Sequence, residues 1–267
     1  MIQYLYLGRV GYAEALALQQ ELVELRHQGR IGNTLLLLEH PPVLTLGRNA
    51  SRINILATDE MLARKGVTVH EINRGGDVTY HGPGQLVGYP IFDLRSLTNS
   101  TGSRLGPVDY VRRMEEALIR LCAGYGVLTG RVQGRTGVWT NTVPGREKKI
   151  GAIGVHVSRG ITSHGFAFNL STDLRDFQWI VPCGIADREV TSLDLEISHP
   201  GQLPTLEQLA DAAARQFGQV FDQQILALAD VDALRHNLVE QLGVPMQVPE
   251  EVQRLTGNDV AGKPLRV

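Results

Sequence analysis

Cys183 sits in WIVPCG (residues 179–184), between a proline and a glycine and outside any helical or alternating apolar pattern. A cysteine thiolate is a nucleophile, so this residue is a candidate for a reactive role that its setting favours without settling. Pro182 stiffens the backbone ahead of it, and Gly184 leaves room for a substrate and exposes nearby N–H groups. Free cysteine is otherwise a small core hydrophobe. The other cysteine, Cys122, has that character, because Val111, Met114, Leu118, Leu121, Cys122 and Tyr125 follow helical apolar spacing. An unperturbed thiol, with a pKa of ~8.5, is mostly protonated at neutral pH and needs a cation beside it to react well. Lys149 heads KKIGAIGVHV (residues 148–157), whose apolar alternation among glycines predicts a strand with space above it. Taken alone, a lysine at a strand mouth is a solvated charge, as Lys148 is expected to be.

A third segment supplies a wall. Residues 74–85 read RGGDVTYHGPGQ, with four glycines, one proline and polar side chains from Arg74 to His81. Its composition predicts a loop rather than a helix or half-buried strand, with bare backbone able to approach a ligand. It matches neither nucleotide-binding pattern, GxGxxG or GxxxxGK[ST]. A plain surface turn between two strands is the competing reading.

The elements that must hold these residues follow from periodicity. Tyr12, Ala15, Leu16, Gln19, Leu22 and Val23 predict a helix over 12–28, and a second helix spans 107–125. Residues 33–39, with four consecutive leucines, read as a buried strand, followed by strands at 43–46, 67–72 and 86–92. Further strands are expected near 127–133, 137–141, 148–158 and 161–170. Thr205 and Gln208 form a capping-box pattern ahead of a helix whose face carries Leu206, Leu209, Ala210, Ala213, Phe217 and Phe221. Strands outnumber helices without alternating with them, which predicts an α+β fold. Residues 226–267 form a candidate C-terminal helical appendage or tail, with Val231, Leu234, Leu238 and Leu242 on a short helix and Pro245 and Pro249 beyond it.

Six stretches together resemble the lipoyl(octanoyl) transferases of the biotin/lipoate protein ligase-like superfamily. They are EHPPVLTLG (39–47), RGGDVTYHGPGQLVGYPI (74–91), GVW (137–139), KIGAIG (149–154), HGFAFN (164–169) and PCG (182–184). The resemblance implies a mixed or antiparallel sheet with flanking helices, the catalytic domain occupying residues 1–225. It implies transfer of an octanoyl group from octanoyl-acyl carrier protein to a lysine, by way of a thioester on Cys183, with Lys149 as the catalytic lysine. The acceptors it implies are lipoyl domains of 2-oxoacid dehydrogenase complexes and the glycine cleavage H protein. It implies no ATP or other cofactor, because a carrier thioester is already activated.

On the same basis, the substrate-binding residues are expected in three groups. The loop contributes Arg74, Gly75, Gly76, Asp77, Val78, Thr79, Tyr80 and His81. The acyl slot is expected between Ala152, Ile153 and Gly154 on one strand and Gly165, Phe166 and Ala167 on another. Asp77 departs mildly from the family pattern and is given no specific contact. Tyr80 and His81 either donate to the acyl carbonyl, position the acceptor lysine, or tie down their own loop.

A formal net charge of −2 with interspersed signs excludes a basic nucleic-acid footprint. No apolar run approaches the ~20 residues of a bilayer span, and the first residues lack signal-peptide character. Two cysteines in dissimilar settings predict no disulfide framework and fit a reducing cytoplasm. The eight histidines form no HxH or HExxH pattern, so no metal site is expected. Three rival readings remain: an ATP-dependent lipoate or biotin-type ligase, a thiol hydrolase using Cys183 with His81 or His164, and a non-catalytic binding module.

Overall fold

Four consecutive leucines can form a strand only if both faces of that strand are covered. The computed structural model describes residues 1–99, 102–140, 145–181, 189–199, 201 and 203–234. In it, β2 (Asn33–Glu39) is buried throughout. Leu35 and Leu37 enter one hydrophobic core and Leu36 and Leu38 another. Strand β2 pairs in parallel with β1 (Ile2–Arg9) and antiparallel with β6 (Gln85–Ile91). The sheet continues from β6 through β10 (Ile161–Asn169), β9 (Lys148–Ser158) and β8 (Arg135–Thr140) to β7 (Thr129–Val132). Its other edge is β11 (Ile225–Ala227), parallel to β1. The α+β mixed sheet read from the sequence is therefore the fold that forms.

Each face of this eight-stranded sheet has its own cover. Helix α1 (Tyr12–His27) packs its buried Ala15 and Leu22 against β6 and β10. Helices α3 (Pro107–Gly124) and α5 (Leu206–Phe221) close the opposite face around Phe92, Phe166, Phe168 and Phe217. The capping box forms as expected: the Thr205 side chain accepts from the Gln208 N–H, and the Gln208 side chain returns a bond to the Thr205 N–H. Cys122 is fully buried on α3, as its periodicity predicts.

A second sheet has three strands, β4 (Thr68–Glu71), β3 (Val43–Leu46) and β5 (Val78–His81). Strand β5 corrects the expectation of an uninterrupted loop from Arg74 to Gln85. Val78 and Tyr80 alternate into a small core with Leu44, Leu46 and Ile180, and Thr79 and His81 point the other way. Four residues alternating inside a glycine-rich run leave too short a period to be seen against the turn signals around them. Strand β8 begins two residues earlier than expected, at Arg135. Strand β1, helix α2 (Asp59–Arg64) and the single turn α4 (Leu193–Glu196) were not anticipated. Beyond β11, Leu234 is buried in the core beneath α1. Leu238, Leu242 and the rest of the expected C-terminal helix lie outside the described residues.

Candidate active site

The two sheets enclose a cavity of about 390 Å³. Val87 and Tyr89 of β6 and Ala167 of β10 form one wall, and Ala152 and Gly154 of β9 continue it. Thr79 and His81 of β5, with the glycine loop ahead of them, form the facing wall. All the residues expected to bind substrate line this cavity except Tyr80. Pleating turns Tyr80 into the small core, where its hydroxyl donates to Asp176 at 2.7 Å and its ring meets Phe177 and Trp179. Tyr80 therefore anchors its own segment, the third of the roles open to it.

The glycine loop is held at the free edge of β9. The Gly75 N–H donates to Val155 O at 2.9 Å, and the backbone N–H groups of Arg48 and Asn49 donate to Arg74 O and Gly76 O. A Cβ on Gly154 would stand 2.8 Å from Gly75 O, so only glycine lets the two backbones meet there. Arg74 is buried, and its guanidinium donates to the Thr45 carbonyl at 2.7 Å and to Gly75 O at 3.0 Å. Asp77 accepts from its neighbour Val78 N–H and from Asn54 Nδ2, holding the turn into β5.

Lys149 reaches the cavity from the first residues of β9, and its Nζ lies 4.7 Å from the centre of the Trp139 ring. That ring comes from β8, which pairs Trp139 with Lys149. The β8 hairpin is pinned from beneath by Glu115 of α3, a fully buried carboxylate. Glu115 accepts from the Gly137 N–H at 3.0 Å and from Arg112 and Arg131 at 2.7 and 3.0 Å. The chain also returns to Lys149 from the C-terminal side: Lys149 N–H donates to Glu189 O, and Thr191 N–H donates to Lys149 O. On the other flank, Val181 N–H donates to Asn54 O at 2.8 Å. Cys183 and Gly184 lie outside the described residues. Burial pushes the Cys122 thiol up to about 12, opposite to what a nucleophile requires.

Tyr12, His81, Tyr89 and His164 line the cavity, and His40 packs against the first three. His81 stacks on Tyr12 at 6.4 Å and meets the edge of His40 at 6.0 Å. His40 donates from Nδ1 to Val10 O and accepts at Nε2 from the Tyr89 hydroxyl, both at 2.7 Å. His164, held at φ 54°, bonds through Nε2 to Asn73 Oδ1 at 2.7 Å. Burial is the first cause of depressed basicity in all three: His81 falls to about 3, His40 and His164 to about 4. Burial also raises Tyr12 to about 12. The rings are therefore neutral hydrogen-bonding groups near neutral pH. No group of His, Cys, Asp or Glu among the described residues can hold a metal. None of the described helices is long and apolar enough to cross a membrane.

Sequence reasoning gave no site role to Tyr12, Tyr89, Arg135 or Trp139, all of which line the cavity. The signal for Tyr89 and Trp139 was present, because both fall inside the matched stretches. Tyr12 and Arg135 carried no local mark, because only the packing of α1 and β8 brings them to the wall.

Comparison with known proteins agrees with this geometry. Residues 11–218 match the family model described as the lipoyl protein ligase A/B catalytic domain. An octanoyltransferase of Acidobacterium capsulatum is 67% identical over 232 residues, 85% of this chain and 93% of its own length. An octanoyltransferase of Koribacter versatilis is 52% identical over 260 residues, covering 97% of this chain and 99% of its own. Among solved structures, a lipoate-protein ligase A bound with ATP superposes with a TM-score of 0.64 at 15% identity, covering 91% of this chain and 94% of that one. A putative lipoate protein ligase from T. acidophilum with bound lipoic acid gives 0.62 at 15% identity, covering 90% and 95%. At such identities the structures speak for the fold alone.

Proposed function

We propose octanoyl transfer as the activity of this chain, which belongs to the lipoyl protein ligase A/B catalytic-domain family. The donor is octanoyl-acyl carrier protein, and the acceptor is a lysine on a lipoyl domain, of 2-oxoacid dehydrogenase complexes or the glycine cleavage H protein. The observation that carries this reading is the cavity: small residues of β9 and β10 face the glycine loop, with Lys149 at one end. Its volume suits a small acyl ligand. Relatives at 67% and 52% identity that bear the name octanoyltransferase support the choice of acyl group. An ATP-dependent ligase shares the fold, but likeness at 15% identity does not favour that chemistry over transfer.

In the first half-reaction the Cys183 thiolate attacks the thioester carbonyl. A new C–S bond forms, the carrier's C–S bond breaks, and the carrier sulfur leaves as a thiolate that takes its proton from the Lys149 ammonium. In the second, the ε-amine of the acceptor lysine attacks the Cys183 thioester. An amide C–N bond forms, the Cys183 sulfur departs, and the Cys183–Lys149 pair takes the proton shed by the amine. Nothing is oxidised or reduced. The Lys149 ammonium supplies the positive charge that favours the thiolate: at ~4 Å and an effective dielectric of ~20 the attraction reaches about 4 kcal/mol before desolvation. A third of that lowers the thiol pKa by about one unit. The backbone N–H groups of Gly76 and Gly184 are assigned to the oxyanion, the Gly75 N–H being taken by Val155 O. The reaction belongs in a reducing compartment, which keeps Cys183 a thiol.

Intact-mass measurement after incubation with octanoyl-acyl carrier protein tests this. One hydroxylamine-labile octanoyl group is expected on the native chain and on Cys122→Ala, and none on Cys183→Ala. Adding an unmodified lipoyl domain should move the group onto that domain. An adduct that survives in Cys183→Ala, or no adduct with any carrier thioester, sinks the proposal.

A further inference from the structure

A line of amides at the back of the cavity decides which nitrogen of His81 carries its proton. It begins at two backbone carbonyls, which can only accept. The Thr191 carbonyl takes a hydrogen bond from Asn169 Nδ2 at 2.9 Å, so the other end of that amide, Oδ1, faces away from it. Asn169 Oδ1 accepts from Gln85 Nε2 at 2.9 Å, across the β6–β10 register that pairs the two residues. Gln85 Nε2 also points at the Tyr80 carbonyl at 3.3 Å, which fixes the same orientation independently. Gln85 Oε1 is thereby left facing His81 Nδ1 at 2.8 Å. An amide oxygen has no proton to give, so Nδ1 must be the donor. A neutral imidazole protonated at Nδ1 carries its lone pair on Nε2. No hydrogen bond within the described residues occupies Nε2, and the ring lines the cavity.

The surroundings keep this ring uncharged. Gln85 and Asn169 are almost fully buried. Burial is the main cause of the low basicity of His81; His40, Arg74 and His164 add to it, and the Gln85 bond opposes it. The ring of Tyr12 lies nearly parallel to that of His81, with centroids 6.4 Å apart. A neutral ring whose Nε2 takes no hydrogen bond from the described residues can accept one there but cannot donate one. That is the wrong polarity for an acyl carbonyl or an oxyanion and the right one for an amine N–H.

We propose that His81 is a fixed hydrogen-bond acceptor, protonated at Nδ1, whose Nε2 orients an N–H of the incoming lysine amine, and that Gln85 and Asn169 are positioning residues that set this tautomer. The assignment of the lysine rests on the transfer reading above. As the amine's lone pair forms the C–N bond, its nitrogen gains positive charge and its N–H becomes a stronger donor. The bond to Nε2 therefore strengthens toward the transition state, which is where binding accelerates a reaction. The proton that is finally shed goes to the Cys183–Lys149 pair, and His81 remains neutral throughout. The relay also ends beside the lysine of that pair, because Thr191 N–H donates to Lys149 O at 2.9 Å.

Long-range 1H–15N spectra of the full-length protein, with the His81 signals assigned by their loss in His81→Gln, read the tautomer directly. The expected result is a protonated Nδ1 and a bare Nε2 at neutral pH. In Gln85→Met, which keeps the shape and removes the acceptor, the Nε2–H tautomer should appear. Single-turnover transfer from octanoyl-enzyme to a lipoyl domain should then slow about tenfold more than the acylation step, the worth of one hydrogen bond. A native spectrum showing Nε2–H or an imidazolium overturns the relay without any variant having to fold. Equal slowing of both half-reactions, or an unchanged tautomer in Gln85→Met, overturns the positioning role. Failure of the native chain to form any octanoyl-enzyme overturns the transfer reading and the lysine assignment with it. A wrong tautomer in a chain that does transfer overturns only the relay.

Discussion

Lys149 and Trp139 illustrate how one contact shapes a charge. An ammonium over an indole face is attracted by the negative face of the ring. The ring also limits where the long side chain can swing, so the positive charge stays near the cavity. If this ammonium favours the Cys183 thiolate, Lys149→Ala should raise the pH midpoint of Cys183 alkylation by about one unit, toward the free-thiol value. The same variant should slow octanoyl-enzyme formation about a hundredfold, the scale of a lost acid–base partner. Alkylation rates measured across pH, in a Cys122→Ala background, give the first figure. An unshifted midpoint would remove Lys149 from the mechanism. Cys122 serves as the internal contrast, with its thiol pushed up to about 12 by burial on a helix face.

At the scale of elements, the site depends on two segments that are rigid for different reasons. The glycine loop is rigid because its backbone bonds to β9 and to the turn after β3, and because Arg74 is fastened to Thr45. The β8 hairpin is rigid because Glu115 holds it from α3. Glu115 is fully buried, and its two oxygens serve three donors. Removing it leaves Arg131 and the Gly137 N–H facing the space it filled. Glu115→Ala should cost about 3 kcal/mol, the scale for breaking a buried ion pair by deleting one partner. In a domain of this size that lowers Tm by roughly 6–12 °C. Thermal unfolding followed by circular dichroism measures it; a fall of less than about 2 °C would show that the hairpin is held by other contacts. Strand β5 matters equally, because its alternation sends Tyr80 into a core and His81 into the cavity, giving adjacent-looking residues unrelated tasks.

For the whole molecule, the burial of His40, His81 and His164 has a consequence in acid. His40, His81 and His164 have basicities depressed to about 4, 3 and 4 in the folded chain, below the ordinary histidine value. Above about pH 6.5 each ring is neutral folded or unfolded, so none affects stability. Between about pH 6.5 and the folded values the unfolded chain binds more protons, so stability falls as pH falls. By about pH 5 the loss is on the order of 2 kcal/mol for each histidine. Urea unfolding at about pH 7 and pH 5 should show a marked drop in midpoint, smaller in His81→Gln. Equal midpoints at the two values would mean that these rings are already charged or solvated in the folded state.

The amino-acid sequence by itself determined the strands and helices whose burial repeats along the chain: the leucines of β2, the apolar face of α3 and the capped start of α5. It also marked the cavity wall, because bare glycine backbone and small strand residues are a local property and announce themselves wherever they fold. What only the tertiary structure decided was direction. Strand β5 lies hidden among turn residues, and its pleat, not its composition, separates Tyr80 from His81. Tyr12, Arg135 and the buried Glu115 reach the site through packing between elements far apart in the chain. The protonation of His81 is set by carbonyls at Tyr80 and Thr191, passed through Gln85 and Asn169. Hydrogen-bond polarity of that kind is a property of three-dimensional neighbours, and no spacing along a chain encodes it.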